Sequence, residues 1–265
     1  MTYKLGIIGA GVMGQAILSC VIDKKYLNKE QIAVFDVSDE KRNEIKSKGI
    51  TVFGSASELA KNCEYILIAI KPQHFDGLSK DITISENNVI VSIMAGVKIG
   101  TIREKLRTNC AIARVMPNTP CKIGKGVCAV VTDKASEENE SFVFGLLGCC
   151  GEVVPVEESL FDTVTSVSGS GPAYVYMFID GMIKGGMNGG LTYEQSKKLA
   201  IQTVIGSAML AESSEEKADS LTEKVCSKGG TTIEAVKIYR EKGLEDLIQE
   251  GMEACRKRSE EMSKA

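Results

Sequence analysis

The sequence predicts an α/β fold in its amino-terminal part, a doubly wound and mostly parallel sheet, followed by an all-α carboxy-terminal part. Three observations carry this. Short apolar runs bounded by glycine, proline and asparagine alternate with helical stretches through the first 160 residues. The first of these runs opens into glycines spaced G-x-G-x-x-G. From Phe161 onward helical periodicity replaces the strand-like runs, so the expected division is 1–160 and 161–265.

The opening run Lys4-Leu5-Gly6-Ile7-Ile8 reads as a buried strand. It breaks at Gly9-Ala10-Gly11-Val12-Met13-Gly14 and continues as a helix with Met13, Ala16, Ile17, Cys20 and Val21 on one face. In such an arrangement the first glycine permits the sharp turn, the second lets backbone amides approach a pyrophosphate, and the third lets helix and strand pack closely. The helix N-terminus adds oriented donors and the positive end of its dipole. Gln31 to Phe35 read as a second strand ending in Asp36. That carboxylate stands about twenty residues past the last glycine, the separation at which an acid reaches the ribose hydroxyls of a dinucleotide. The pattern is Rossmann-like, with a glycine-rich turn that binds nothing as the plainer alternative.

Further along, Ser38 is placed to cap a short helix that Gly49 stops, Ile50 to Phe53 is a brief strand, and Ser57 is expected to cap the next helix. Tyr65 to Ile70 is continuously apolar, as a strand buried on both faces should be, and Lys71-Pro72 ends it. Val89 to Ile93 leads into Ala95-Gly96, and Ala111 to Val115 into Met116-Pro117-Asn118-Thr119-Pro120. A doubly wound sheet binds ligand at the carboxyl ends of its strands, which is where Ala69, Ile70, Lys71, Pro72, Ala95 and Asn118 fall. Val127 to Val131 and Glu152 to Val156 read as final strands flanking a helix that starts near Ser136.

In the second part, Ser168-Gly169-Ser170-Gly171-Pro172 reads as flexible residues with a cap and a proline suited to a first helical turn. Ala173 to Lys184 then looks like a buried helix. Thr192-x-x-Gln195 is a capping box for the next helix, with Leu199, Thr203, Gly206 and Leu210 along one stripe, and the last helix shows Leu244, Leu247, Ile248, Gly251, Cys255 and Met262 at helical spacing. Gly181, Gly185, Gly186, Gly189 and Gly190 crowd this region at up to ~1 kcal/mol each relative to alanine, which close packing against another helix, of this or a second chain, would offset. In Ser227-Lys228-Gly229-Gly230-Thr231-Thr232-Ile233, two glycines precede two hydroxyls at the start of a helix. Backbone and side-chain donors converge there, as suits a carboxylate, and a plain glycine loop with a threonine cap is the competing reading.

The formal charge is −3 with no block of Lys or Arg, which lacks the electrostatic footprint of a nucleic-acid binder. No apolar run approaches the ~20 residues of a membrane span, and glycines interrupt the one after Lys4 where a signal peptide would be continuous. Nine cysteines form no C-x-x-C pair and meet a single histidine, His74, so no metal site is expected. They read as reduced, mostly buried thiols of a cytoplasmic protein, with Cys149-Cys150 the one adjacent pair.

Gly9 to Gly14, Ala69-Ile70-Lys71-Pro72-Gln73, Val91-Ser92-Ile93-Met94-Ala95-Gly96, Met116-Pro117-Asn118-Thr119-Pro120, Ser168-Gly169-Ser170-Gly171-Pro172-Ala173-Tyr174 and Ser227 to Thr232 together closely resemble the pyrroline-5-carboxylate reductases. The likeness covers the whole chain in order, and its last two segments are far more specific than the glycine turn. It implies hydride transfer from NAD(P)H to the imine carbon of 1-pyrroline-5-carboxylate, giving L-proline in the last step of proline biosynthesis. It also implies an NAD(P)-binding Rossmann domain over 1–160 and a helical substrate-binding and dimerisation domain over 161–265, assembled as a dimer or a ring of dimers.

Carried over position by position, the resemblance makes Thr232 the catalytic residue that hydrogen-bonds the ring nitrogen. Ser227 with the backbone of Gly230 and Thr231 becomes the carboxylate cradle. Gly9, Ala10, Gly11, Val12, Met13 and Gly14 hold the pyrophosphate, and Ala69, Ile70, Lys71, Pro72, Ala95 and Asn118 belong to the cofactor path. Lys228 departs from the proline of many relatives, which loosens the loop or adds a cation for an anionic substrate. Asp36 also departs, because NADPH-preferring relatives usually carry a small polar residue there with a cation nearby. A carboxylate repels a 2′-phosphate and accepts hydrogen bonds from a free ribose diol, so NADH is the expected preference, with Lys41 and Arg42 close by.

A threonine hydroxyl is too weak an acid to be the sole proton source, which leaves a protonated imine or a water relay; His74 belongs to the cofactor half. Two other readings stay open. One is another imine reductase or a β-hydroxyacid dehydrogenase of the same layout, with Lys184 as the candidate lysine. The other is a dinucleotide sensor without catalysis.

Overall fold

The structure is a computed structural model that describes residues 2–264. Eight strands form one sheet: β1 (Tyr3–Ile8), β2 (Ile32–Phe35), β3 (Thr51–Val52), β4 (Cys63–Ile68), β5 (Val89–Ser92), β6 (Ala111–Pro117), β7 (Gly126–Asp133) and β8 (Gly151–Pro155). Their order is β3-β2-β1-β4-β5-β6-β7-β8. Every neighbouring pair is parallel except β6 with β7. The reason is local: only a short turn joins β6 to β7, too little chain for a crossover helix, whereas Glu137–Gly148 carries the chain from β7 to β8.

The central strands are apolar on both faces because both are covered. Leu5, Ile7, Leu67, Val91 and Ala113 pack with Ile17, Val21, Leu146 and Leu147 on one side. Ile8, Ile66, Ile68, Ile90 and Ile112 pack with Leu59, Phe75 and Ile102 on the other. Alternate residues of one strand thus enter two different cores, the period of two that a pleated strand imposes.

Ser38 caps the helix Asp39–Ser47, accepting from the Lys41 amide. The cap expected at Ser57 lies instead at Ser55, whose Oγ accepts from the Glu58 amide at 3.1 Å. Glu58 also accepts from the Gly54 amide, so both ends of a capping arrangement are present two residues earlier than expected. Ser57 is left free to donate to the Asp81 carbonyl at 2.9 Å and accept from the Thr83 amide at 3.0 Å.

The chain divides into a sheet-bearing unit that runs through Ser170 and is rejoined from Cys255 on, and a helical unit, Gly171–Ala254. The rejoining is polar in part, since Asp162 Oδ1 accepts from Ser259 Oγ at 2.6 Å and from Ser263 Oγ at 3.3 Å. The segment expected to be flexible around Ser168 is helical: Phe161–Val164 passes into a wider, π-type turn over Thr165–Gly169 and then into the helix Gly171–Asn188. The serines bond backward along the helix rather than breaking it, Ser168 Oγ donating to the Val164 carbonyl at 3.1 Å.

Within the helical unit, Gly171–Asn188 packs chiefly against Tyr193–Glu212, whose capping box forms as expected, with Thr192 and Gln195 exchanging hydrogen bonds of 2.9 and 3.2 Å. Gly186 is the glycine this packing needs. A Cβ there would lie 2.6 Å from Ser196 Oγ, whereas Gly181 and Gly185 face open space. The expectation that Ala173 to Lys184 is buried does not hold within this chain: only Ile183 is, and Val175, Tyr176, Met177 and Phe178 are exposed. One neighbouring helix covers one side, and these four consecutive residues point all round the axis.

Candidate active site

The sheet order reverses between β1 and β4, so their carboxyl ends leave a crevice, the place where a doubly wound sheet takes ligands. The three glycines beside it are needed for three separable reasons. Gly9 has φ +103°, and a Cβ there would lie 2.6 Å from the Ala69 carbonyl oxygen. A Cβ on Gly14 would lie 2.1 Å from the Gly9 oxygen, so the third glycine is what lets helix and turn touch. Around Gly11 there is open space. It is the N-cap of Val12–Asp23 and no side chain caps that helix, so the first amides, with Val12 exposed, are left for a ligand.

Asp36 directly follows β2 and is buried. Its Oδ2 accepts from the Ala10 amide at 2.7 Å and its Oδ1 from the Ser38 amide at 2.9 Å, so the carboxylate fixes the glycine turn as well as facing it. Lys41 Nζ is 3.6 Å from Oδ2. Arg42 donates to the Asp36 carbonyl at 2.6 Å and pairs with Asp39. Each carboxylate oxygen retains a lone pair for a ribose hydroxyl.

Ala69 follows β4 and donates to the Ile8 carbonyl at 2.8 Å; Lys71 and Pro72 begin the turn Pro72–His74. Ala95 sits in the turn after β5 beside Gly96, at φ +75°. Asn118 follows β6, and its Oδ1 accepts from the Val127 amide at 3.0 Å, so the side chain secures its own turn. The structure therefore brings Gly9 to Gly14, Asp36, Ala69 to Pro72, Ala95 and Asn118 to the carboxyl ends of one sheet. Uncapped amides beside an open backbone, with a buried acid next to them, fit a dinucleotide.

In the helical unit, Gly229 takes φ +75° and Gly230 is the N-cap of Thr231–Glu241, again without a side-chain cap. Gly230 donates to the Ser227 carbonyl at 2.9 Å, and a Cβ on Gly230 would lie 2.3 Å from Ser227 Oγ. Ser227 and the free amides of the first turn thus meet at one helix start, whose first two residues are Thr231 and Thr232, a donor set suited to a small carboxylate. Lys184, the lysine a hydroxyacid dehydrogenase would need, is exposed and paired with Asp180 at 2.5 Å. His74 is exposed on its turn. Among the described residues no group of three or more His, Cys, Asp or Glu side chains could hold a metal ion, and no helix is long and apolar enough to cross a membrane.

Residues 158–262 match the family described as pyrroline-5-carboxylate reductase dimerisation, and residues 4–96 match the NADP oxidoreductase, coenzyme F420-dependent family. A relative named pyrroline-5-carboxylate reductase, from Aquifex aeolicus, is 40% identical over 251 residues, 94% of each chain. The chain belongs to the pyrroline-5-carboxylate reductase family. The Escherichia coli reductase is 37% identical over 100% of both chains. Among solved structures, the pyrroline carboxylate reductase of Plasmodium falciparum with NADP bound superposes with a TM-score of 0.90 at 29% identity, over 98% of each chain.

Sequence reading missed one charged residue of this reductase fold. Arg114 on β6 is 3% exposed, and it pairs with Glu158 at 3.0 Å and lies 4.4 Å from the Phe161 ring centre. Glu158 also accepts from the Ile99 amide at 2.8 Å, tying the segment that leaves the sheet to the start of Ile99–Leu106. An arginine inside an apolar strand was the available signal, but its partner is 44 residues away.

Proposed function

We propose that this chain reduces 1-pyrroline-5-carboxylate to L-proline, the last step of proline biosynthesis, with a nicotinamide dinucleotide as hydride donor. The observation that carries the reading is the uncapped helix start at Gly230 with Ser227 against it, in a chain that also carries the open glycine turn. The bound cofactor supplies the hydride. The Gly11 to Gly14 amides hold its pyrophosphate, Asp36 its ribose diol, and Ala69, Ile70, Lys71, Pro72, Ala95 and Asn118 the rest of its path.

Ser227 and the Gly230 and Thr231 amides fix the substrate carboxylate, so the five-membered ring can bind in one orientation. Thr232 hydrogen-bonds the ring nitrogen and sets which carbon faces the donor. Positioning of this kind carries much of the catalysis in a hydride transfer. Thr232 is too weak an acid to be the sole proton source, so the imine is taken up protonated or receives its proton through a relayed water. Lys228 adds a cation beside the carboxylate cradle. The carboxy-terminal part, 161–265, binds substrate and joins two copies as a dimer or a ring of dimers in the cytoplasm.

NADH is the preferred donor, since Asp36 holds negative charge where a 2′-phosphate would stand. Steady-state assays on the cyclic imine with each cofactor test this, and Asp36→Ser should shift the kcat/KM ratio toward NADPH at least ~10-fold. An unchanged ratio, or a wild-type preference for NADPH, refutes the assignment. Thr232→Ala should lower kcat/KM for the imine by about 100-fold while cofactor affinity holds, and wild-type turnover in that variant removes Thr232 from the site.

A further inference from the structure

Four of the nine cysteines meet around the turn after β6. Cys121, in the turn Thr119–Ile123, is fully buried with its Sγ 3.8 Å from Cys128 Sγ on β7. The buried Cys150 thiol lies near the Cys121 sulfur, and Cys20, on the helix of the glycine turn, donates to the Cys121 carbonyl at 3.0 Å. Gly126 is what makes room, because a Cβ there would lie 2.3 Å from Cys121 Sγ. The arrangement differs from that of Cys63, which is buried without a thiol neighbour and whose thiol burial pushes up to about 12. Around Cys121, the neighbouring S–H groups favour the anion on its sulfur and oppose burial, so its thiol is held below the ordinary range while those of Cys128 and Cys150 are pushed up.

We propose that Cys121 and Cys128 are an oxidisable dithiol that closes to a disulfide with hydrogen peroxide as the oxidant. The Cys121 sulfur attacks one peroxide oxygen and the O–O bond breaks. The departing oxygen leaves as water with the Cys121 proton, and the sulfur is left as a sulfenic acid. The Cys128 sulfur then attacks the Cys121 sulfur, the S–O bond breaks, and a second water leaves with the Cys128 proton. Two thiols and one peroxide become one disulfide and two waters, and two electrons pass from sulfur to oxygen. The sulfurs need only close from 3.8 Å to the ~2.0 Å of a disulfide. Closure draws the turn against β7 and acts on Asn118, whose Oδ1 is bonded to the Val127 amide. This site stands whether or not the reductase reading does.

The test is peptide mapping of the folded, full-length chain after treatment with hydrogen peroxide, alkylation of free thiols and digestion without reductant. A Cys121–Cys128 cross-link, two hydrogens lighter than the dithiol and reversed by dithiothreitol, is expected, whereas Cys63 and Cys110, equally buried but with no thiol beside them, are recovered free. In Cys128→Ser, a sulfenic acid at Cys121 trapped by dimedone is expected instead. The wild-type map decides alone if that variant fails to fold. Recovery of Cys121 and Cys128 as free thiols after Cys226 or Cys255 has oxidised, or a cross-link from Cys121 to a different cysteine, overturns the proposal.

Discussion

The sheet-bearing and helical units treat their apolar residues in opposite ways. In the first, Leu5, Ile17, Ile32, Leu59, Ile66, Leu67 and Ile68 are completely buried, because helices cover both faces of the sheet. In the second, Met177 is 76% exposed, Tyr176 61% and Leu210 62%, and the buried residues are Ile183, Ser196 and Ala200. So many large apolar side chains left exposed in one unit mark a surface made to be covered. The first unit closes a core by itself, and the second presents one that is half built. Residues 158–262 match a family described as a dimerisation domain, which suggests self-association.

The largest effect should come from the self-contained side. Gly14→Val places a side chain where a Cβ already lies 2.1 Å from the Gly9 oxygen, so the turn must open. The Kd for NADH, read by calorimetry, should rise by more than about 100-fold, the loss of two or more hydrogen bonds to a charged group. Retained binding would show that the turn is not the cofactor site. Met177→Asp tests the other side by setting a charge in the open apolar face. Light scattering should show a monomer at concentrations where the wild type associates, with a thermal transition of the sheet-bearing unit still present. An unchanged mass would mean that the face is not the interface.

The smallest effect separates the units by pH. Burial pushes the Cys63 thiol up to about 12, and burial with the nearby charges of Glu64 and Glu138 pushes the Tyr65 phenol to about 12. Both groups keep their protons in the folded chain after the unfolded chain has lost them, from about 9 for a thiol and 10 for a phenol. Their contribution to stability is therefore whole below about pH 9 and is lost as pH rises toward 12. Urea midpoints followed across that window should fall from about pH 9 in the wild type. In Cys63→Ser the fall should begin at the same pH but be shallower, because the thiols of Cys110, Cys128, Cys149 and Cys150 are also pushed up and remain. A midpoint flat to pH 12 would remove both groups as the cause.

Much of the sheet was legible because its signals are local. Strand, turn and helix share one short stretch around Gly9, Gly11 and Gly14, and Asp36 follows at a fixed distance, so neighbouring residues suffice to place them. The antiparallel turn of β7 against β6 was not legible, since strand direction depends on how much chain the connection holds. The cap at Ser55 rather than Ser57 was decided by Glu58, which reaches back to the Gly54 amide. The continuity of helix through Ser168 to Pro172 was hidden because serine, glycine and proline carry turn signals in any sequence, and only the backward bond of Ser168 shows where they went.

By itself the sequence determined the strands, the glycine turn, the acid after β2 and the Ser227 to Thr232 segment, because each is set by the size, charge or backbone freedom of residues close together in the chain. Tertiary structure alone decided that Asp36 holds the Ala10 amide, that Arg114 finds Glu158, that Cys121 meets Cys128, and that the helix Gly171–Asn188 stays uncovered within one chain. Those facts depend on which distant elements arrive beside one another. Burial and pairing are properties of packing, which no local pattern contains.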